Sequence, residues 1–412
     1  MTDPSLAPTA GTILMYGANW CPDCRRAKAF FGEQRVQYHY IDLDQQPEFV
    51  AEVERLNNGM RRIPTIIFPD GSMLVEPSNE ELARKLGLKL EASQRFYDVI
   101  IVGSGPAGLT AAIYTSREGL STLVIEKSGV GGQVGMTRQM DNFPGFDEGI
   151  NGAELADRLR RQAERFGVEI LQAQTVTGLG EDGLYRLVRT ADGHEYGAAA
   201  VILATGSTYR RLGVPGESRL IGINIHFCAT CDAPFYTGKQ VYVIGGGNSG
   251  FQEALHICQF AEHVTILEVE PEPRASLILQ QKIHDCPRIS VRTNQEVREF
   301  LVSEKRTLAG VRVRDRVTGE ERIDHPDGVF ILIGMRPNSE PFAPYVETDA
   351  WGFIKTRDNL ETSMAGVFAA GDVRAGSTKQ AAAAAGEGAT VALMVRQYVQ
   401  RLATQASVSV GD

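Results

Sequence analysis

The stretch 97–127, YDVIIVGSGPAGLTAAIYTSREGLSTLVIEK, decides the fold. An apolar run with the length of a buried strand ends in a glycine turn, a helix-period segment follows, and a second apolar run closes on a carboxylate. Gly103, Gly105 and Gly108 make G-x-G-x-x-G, with Pro106 and Ala107 opening the helix. Such a turn lets a pyrophosphate approach the helix N-terminus, and Glu126 stands where a carboxylate can hold ribose hydroxyls. The device recurs at 239–270, KQVYVIGGGNSGFQEALHICQFAEHVTILEVE, with Gly245, Gly247, Asn248, Ser249 and Gly250 in the turn and Glu268 as the acid. Gly103 to Glu126 and Gly245 to Glu268 span the same 23 residues. Two dinucleotide sites in one chain suggest a flavin and a nicotinamide.

The chain has 412 residues, 43% hydrophobic and 23% charged, enough for two or three packed domains rather than extended disorder. The longest apolar runs are far shorter than the roughly 20 residues of a membrane span. The N-terminus MTDPSLAPTA lacks the basic head and apolar core of a secretory signal, so a cytoplasmic location is expected. A net charge of -9 without a basic block argues against nucleic acid as the main partner.

Upstream, residues 12–88 alternate strand and helix patterns: strand TILMYG, helix RRAKAFFGEQ, strand YHYIDL, helix PEFVAEVERLN, strand TIIF, turn PDGS and helix NEELARKLG. Between the first strand and helix lies Cys21-Pro-Asp-Cys24. At a helix N-terminus the free N–H groups and the dipole favour a thiolate on Cys21, the attacking sulfur, while Cys24, one turn on and more buried, resolves the mixed disulfide. A second pair is Cys228 and Cys231 in FCATCD. Zinc could use two such pairs, but zinc spacings are about 15 to 20 residues and the gap here is about ten times that, so no metal is expected. Of the remaining cysteines, Cys258 reads as core filler on a helix and Cys286 as an unreactive loop residue.

With WCPDC and RRIPTIIFPDGS, the N-terminal unit resembles the glutaredoxin and mycoredoxin branch of the thioredoxin fold. The resemblance makes Pro64 the cis-proline facing the dithiol; the alternative is an ordinary trans proline at a strand edge. Residues 97 to about 403 resemble the low-molecular-weight thioredoxin reductase family through VGGQVGMTRQMDNFPG, VILATGS, CATCD and GVFAAGDVRAGSTKQAAAAAGEG. In that family the first repeat holds FAD and a C-terminal segment returns to complete the flavin domain. The implied flavin residues therefore add Gly132, Gln133, Asn142, Thr205, Gly206, Gly371, Asp372, Lys379 and Gln380. Asp372 would bind the ribitol chain, unless it is only a turn-former.

The expected architecture is α/β: a thioredoxin-like domain (1–88), a flexible linker (89–96), and two Rossmann-like three-layer domains. The FAD domain would be 97–211 with 335–403, the nicotinamide domain 212–334 with the dithiol, and 404–412 a flexible tail. Cys231 would take electrons from the flavin, and Cys228 would attack the partner disulfide. Asp232 either shuttles the proton or answers the helix dipole as a cap. Two dithiols then make a relay: nicotinamide, FAD, Cys228–Cys231, Cys21–Cys24, external disulfide. A linker of eight or so residues averages about 15 to 17 Å, which is short, so delivery across a homodimer is expected.

The second nucleotide turn departs from the family. NADPH reductases carry HRR where this chain has Glu268-Val269-Glu270, and their turn ends in Ala where this one has Gly250; among nearby cations only Arg274 remains. A carboxylate accepts two ribose hydroxyls but repels a 2′-phosphate, so NADH is expected over NADPH. GGGNSG and LEVEPE resemble instead the NADH-using flavoprotein of the alkyl hydroperoxide reductase system. Three functions remain open: an NADH-linked disulfide reductase with a built-in glutaredoxin module, a flavoprotein dedicated to a peroxiredoxin, and a flavoprotein that no longer uses nicotinamide and acts as a redox-responsive module. The acceptor is a thioredoxin-like protein, a peroxiredoxin or a low-molecular-weight disulfide.

Overall fold

The computed structural model describes residues 12–409 except 35, 138, 139 and 141; the side chains of 136, 230, 231 and 405–409 also lie outside the description. The N-terminal unit runs β1 (Ile13–Gly17), α1 (Pro22–Glu33), β2 (Tyr38–Asp42), α2 (Val50–Leu56), β3 (Thr65–Ile67), β4 (Met73–Val75), α3 (Asn79–Lys85), with sheet order β2-β1-β3-β4. The edge strand β4 was not legible: PDGS turns the chain back on β3, and only three residues pair before Ser78 caps α3 with a Ser78–Glu81 capping box. The helix after the dithiol begins at Pro22 rather than Arg25, because Pro suits the first helical position.

The second unit runs β5 (Phe96–Val102), α4 (Pro106–Arg117), β6 (Thr122–Ile125), α5 (Gly152–Arg165), β7 (Glu169–Leu171), β8 (Val176–Asp182), β9 (Tyr185–Thr190), β10 (Glu195–Leu203). Strands β7, β6, β5 and β10 are parallel. The long β10 pairs β5 along one edge; its other edge takes β9 first and then β21 (Val367–Ala369), a strand from the far end of the chain. Successive residues of β5 serve opposite layers. Val99 and Ile101 enter the core shared with α4 and the C-terminal helix, while Ile100 and Val102 enter the core under β8 and β9. Each such buried aliphatic side chain contributes about 1.5 to 3 kcal/mol.

The third unit follows β11 (Ser207–Tyr209): α6 (Glu217–Leu220), β12 (Ile225–His226), α7 (Ala229–Asp232), β13 (Gln240–Ile244), α8 (Asn248–Ile257), β14 (His263–Leu267), α9 (Leu277–His284), β15 (Ile289–Arg292), an antiparallel trio β16 (Gln295–Val302), β17 (Leu308–Asp315), β18 (Glu321–Asp324), then β19 (Gly328–Ile331). Its parallel sheet is ordered β12-β19-β13-β14-β15, with Val241 and Val243 facing α8 and Tyr242 and Ile244 facing the trio. The chain enters through β11 and leaves through β20 (Met335–Pro337), and these two strands pair with each other. The last helix, α10 (Ala381–Ser409), packs on α4, with Gly388 so close that an added Cβ would lie 2.3 Å from the Ala107 carbonyl oxygen. It continues past 404, where a tail was expected; residues 410–412 lie outside the described residues.

The expected flexible linker is instead tied down. Lys89 Nζ meets Glu169 Oε1 at 2.7 Å, and Ser93 donates to the same carboxylate through its backbone N–H and its hydroxyl, both at 2.6 Å. Gln172 N donates to Lys89 O and Gln174 Nε2 to Leu90 O. The short polar side chains that look like linker composition in the sequence are the donors that a partly buried carboxylate needs.

Candidate functional site

Both glycine turns are built alike. Gly103 has φ +105 and Gly245 φ +122, and a Cβ on either would lie within 2.6 Å of a carbonyl oxygen, Ala204 O or Leu332 O. The third glycine packs against the first: a Cβ on Gly108 would approach Gly103 O to 2.0 Å, and one on Gly250 would approach Gly245 O to 1.9 Å. The acids are anchored identically. Glu126 accepts from Ser104 N at 2.8 Å and from Ser128 N at 2.9 Å; Glu268 accepts from Gly246 N and from Glu270 N. Each carboxylate thereby ties the middle of its turn to the end of the next strand. Ser104, Ser128 and Gly246 are parts of the site that motif reading missed.

Around the first turn the structure collects segments distant in sequence. Gly131 N donates to Ser104 O, which sets Gly132 against Gly105. Gln133 begins the next short turn. Asn142 Nδ2 donates to Gln380 Oε1 at 3.2 Å across 238 residues. Thr205 and Gly206 are both fastened to Asn338, at the foot of the β11–β20 ribbon. Lys379 Nζ donates to Asp372 O at 2.7 Å. Asp372 follows Gly371 in a short turn, and its Oδ1 is buried without a hydrogen-bond partner among the described residues. Burial raises its pKa above the usual carboxylate range, partly offset by Lys379. An unpaired buried carboxyl oxygen is costly in itself and suits a ligand bearing hydroxyl groups.

The second dithiol sits close to this site. Cys228 is disulfide-bonded and precedes α7; the Cys231 side chain lies outside the described residues. Phe227 stacks on Tyr209 with centroids 5.0 Å apart and 15° between planes. The Tyr209 hydroxyl is pushed up to about 12 by burial, then by the negative charges of Asp372 and Asp232, so the two aspartates approach one tyrosine from the two units. His226, which sequence reading passed over, is buried between the dithiol and the core. Its Nδ1 lies 3.3 Å from Asp232 Oδ1 and its Nε2 2.8 Å from the Tyr236 hydroxyl. Asp232 therefore has His226 as a defined partner.

The first dithiol lies at the N-terminus of α1. Cys21 caps α1, and its Sγ accepts the Cys24 N–H at 3.2 Å. Both thiols are free, and burial pushes Cys24 up to about 12. The Ile63-Pro64 bond is cis, and Cys21 Sγ lies 3.7 Å from Ile63 O. Trp20 beside it is 63% exposed, an apolar surface next to the sulfur. The other end of α1 is docked: Gly129 N donates to Glu33 O at 2.8 Å and Gln34 Nε2 to Lys127 O at 3.2 Å. Cys21 thus stands a helix length, about 18 Å, from that contact.

Comparison with known proteins agrees with this arrangement. The pyridine nucleotide-disulphide oxidoreductase family matches residues 97–388, and the glutaredoxin family matches 13–73. Thioredoxin reductase of Bacillus subtilis (strain 168) is 42% identical over 311 residues, covering 76% of this chain and 97% of that protein. The chain belongs to the thioredoxin reductase family. A "bifunctional thioredoxin reductase/thioredoxin" of Mycobacterium leprae is 40% identical over 75% of this chain and 67% of its own length. Among solved structures, thioredoxin reductase from Streptococcus pyogenes aligns with TM-score 0.71 at 36% identity, covering 75% of this chain and all of that one. The chain is a disulfide oxidoreductase of the thioredoxin reductase type, dependent on FAD and a nicotinamide nucleotide, with a glutaredoxin-like domain in front. Among the described residues no helix is long and apolar enough to cross a membrane.

For this thioredoxin reductase homologue, the nucleotide loop holds one cation that the sequence count omitted. Arg316, from beyond β17, donates to Val269 O at 2.9 Å and lies 3.9 Å from Glu270 Oε1. Arg274 is therefore not the single positive charge near Glu268. Asn248 Oδ1 accepts from Ser276 N, tying the glycine turn to the start of α9, while Ser249 is exposed.

Proposed function

We propose that this reductase takes electrons from NADH and delivers them through Cys228–Cys231 to its own Cys21–Cys24 dithiol, which reduces an external disulfide. FAD would be held by the 97–211 and 335–403 segments and would supply the two-electron link between nicotinamide and dithiol. The reading is supported above all by the matching construction of the two dithiols, each at the start of a helix, one free and one disulfide-bonded. As the Cys228–Cys231 disulfide opens, Asp232 protonates the sulfur that leaves, and His226 holds that carboxyl in place and connects it to Tyr236. Cys228 then attacks Cys21 Sγ of the oxidised module, breaking the Cys21–Cys24 bond and freeing Cys24; Cys231 resolves the mixed disulfide and returns both module thiols. Cys21 repeats the attack on the acceptor, with Cys24 resolving.

Asp372, with its unpaired Oδ1, Lys379, Gln380, Asn142, Thr205 and Gly206 would hold FAD; Glu268 would hold the nicotinamide nucleotide's ribose. NADH is preferred because Glu268 presents a carboxylate where a 2′-phosphate would stand, and Arg316 is already engaged with Glu270. The module is docked through the end of α1 away from Cys21, and we propose that transfer occurs by a swing of the module or to a second copy of the chain in a cytoplasmic homodimer. Its acceptor is a thioredoxin-like protein, a peroxiredoxin or a low-molecular-weight disulfide. Anaerobic rapid mixing tests the donor and the order: flavin absorbance bleaches with NADH faster than with NADPH, and Cys228→Ser retains that bleaching while losing disulfide turnover. Faster bleaching with NADPH, or none with either, overturns the reading.

A further inference from the structure

Cys258 and Cys286 have no part in the relay, and the sequence treats them as filler and loop. The fold brings them together: their Sγ atoms are 3.3 Å apart and both thiols are free. Cys258 ends α8 and is 4% exposed, whereas Cys286 lies just beyond α9 and is partly exposed. Both backbones are held, Cys258 N on Ala254 O at 2.9 Å and Cys286 N on Ile283 O at 3.0 Å. The near ends of the same two helices are joined at the nucleotide turn, Ser276 N to Asn248 Oδ1 and Ala275 N to Gly246 O. A bond between the cysteines would therefore close the far end of a helix pair already clasped at its near end. Disulfide sulfurs are about 2.05 Å apart, so the pair has to close by only about 1.2 Å, within reach of small side-chain rotations. Arg288 lies within electrostatic reach of Cys258, but its lowering effect is smaller than the opposing effect of burial.

We propose that Cys258 and Cys286 form a third redox dithiol of this chain, oxidised to a disulfide by hydroperoxides. Cys286, the accessible member, attacks the peroxide oxygen as the thiolate; the O–O bond breaks, and the departing oxygen takes a proton and leaves as water or alcohol. The resulting Cys286 sulfenic acid is attacked by Cys258 Sγ, its hydroxyl leaves as a second water with the Cys258 proton, and the S–S bond forms. Two thiols and one hydroperoxide give one disulfide, one alcohol or water, and one water. Burial pushes the Cys258 thiol up to about 11, so Cys258 suits the resolving role rather than first attack. The closed loop restricts the unfolded chain, so oxidation raises the midpoint of thermal unfolding.

The test uses the full-length flavin-loaded enzyme, oxidised by hydrogen peroxide without nicotinamide, alkylated and mapped by mass spectrometry without reductant. Peptides containing Cys258 and Cys286 should appear linked, two hydrogens lighter than their sum, approaching one link per chain and separated again by dithiothreitol. Cys258→Ser should leave a sulfenic acid at Cys286 that dimedone traps. Unchanged alkylation of both thiols in the wild-type protein after peroxide, or linkage of Cys286 to other cysteines instead, overturns the proposal without depending on any variant.

Discussion

Replacing Glu169 by Gln tests whether the docked linker governs the module. In the wild type this carboxylate receives Lys89, both donors of Ser93 and the Tyr97 hydroxyl, all within 2.7 Å, and its side chain is 10% exposed. Burial by itself would raise its pKa, but Lys89, Ser93 and Tyr97 outweigh that and hold it at about 2 against an ordinary 4.5. At about 1.4 kcal/mol per tenfold, the difference amounts to about 3 kcal/mol in favour of the charged form. Because the folded pKa is lowered, this contribution is complete above the ordinary value and is lost as pH falls from about 4.5 to about 2. The amide of Glu169→Gln keeps the shape and one acceptor but no charge, so about 1 to 3 kcal/mol of linker anchoring should disappear already at neutral pH. Hydrogen exchange of residues 89–96 and their proteolytic nicking should rise about 5- to 150-fold in the variant, with the wild type approaching it only below pH 4.5. Turnover through Cys21–Cys24 should be retained or increased, since release of the module assists its swing. Unchanged protection of 89–96, or a loss of relay turnover alongside increased exchange, would refute the reasoning.

Three further outcomes are expected. His226→Ala leaves Asp232 without its imidazole partner and should slow opening of the Cys228 disulfide about 10- to 100-fold, read as reoxidation of reduced flavin, with bleaching by NADH unchanged. Replacing Glu268-Val269-Glu270 by His-Arg-Arg should move the kcat/KM ratio toward NADPH by about 1 to 3 kcal/mol, and adding Arg316→Ala should reduce that gain. Cys21→Ser should retain reduction of the Cys228–Cys231 pair but lose turnover of the external disulfide, and Cys24→Ser should accumulate a mixed disulfide on Cys21, seen by mass spectrometry; equal turnover in Cys21→Ser and wild type would separate the module from the relay.

What could be read from the chain alone was whatever chemistry lies within one turn or one βαβ unit. The glycine turns at 103–108 and 245–250, their acids at Glu126 and Glu268, and the two C-x-x-C pairs depend on neighbours at most some 25 residues apart, where spacing and geometry are nearly the same thing. Matched family segments extended that reading to Asn142, Asp372 and Gln380; that Asn142 meets Gln380 no local pattern implies. The tertiary structure decided everything that depends on which distant atoms touch. His226 is an ordinary strand residue until α7 and Tyr236 close round it, and Arg316 is one surface cation among many until its loop reaches Val269. KLEASQRF has the composition of a free tether, yet Glu169 converts its polar groups into an anchor. Cys258 and Cys286 become a pair only because α8 and α9 pack with their far ends together. The physical reason is the same in each case: a periodic pattern tells which face of an element is apolar, but the partner of a buried polar side chain is chosen by packing across the chain, where contact depends on where elements meet and not on how far apart they lie in sequence.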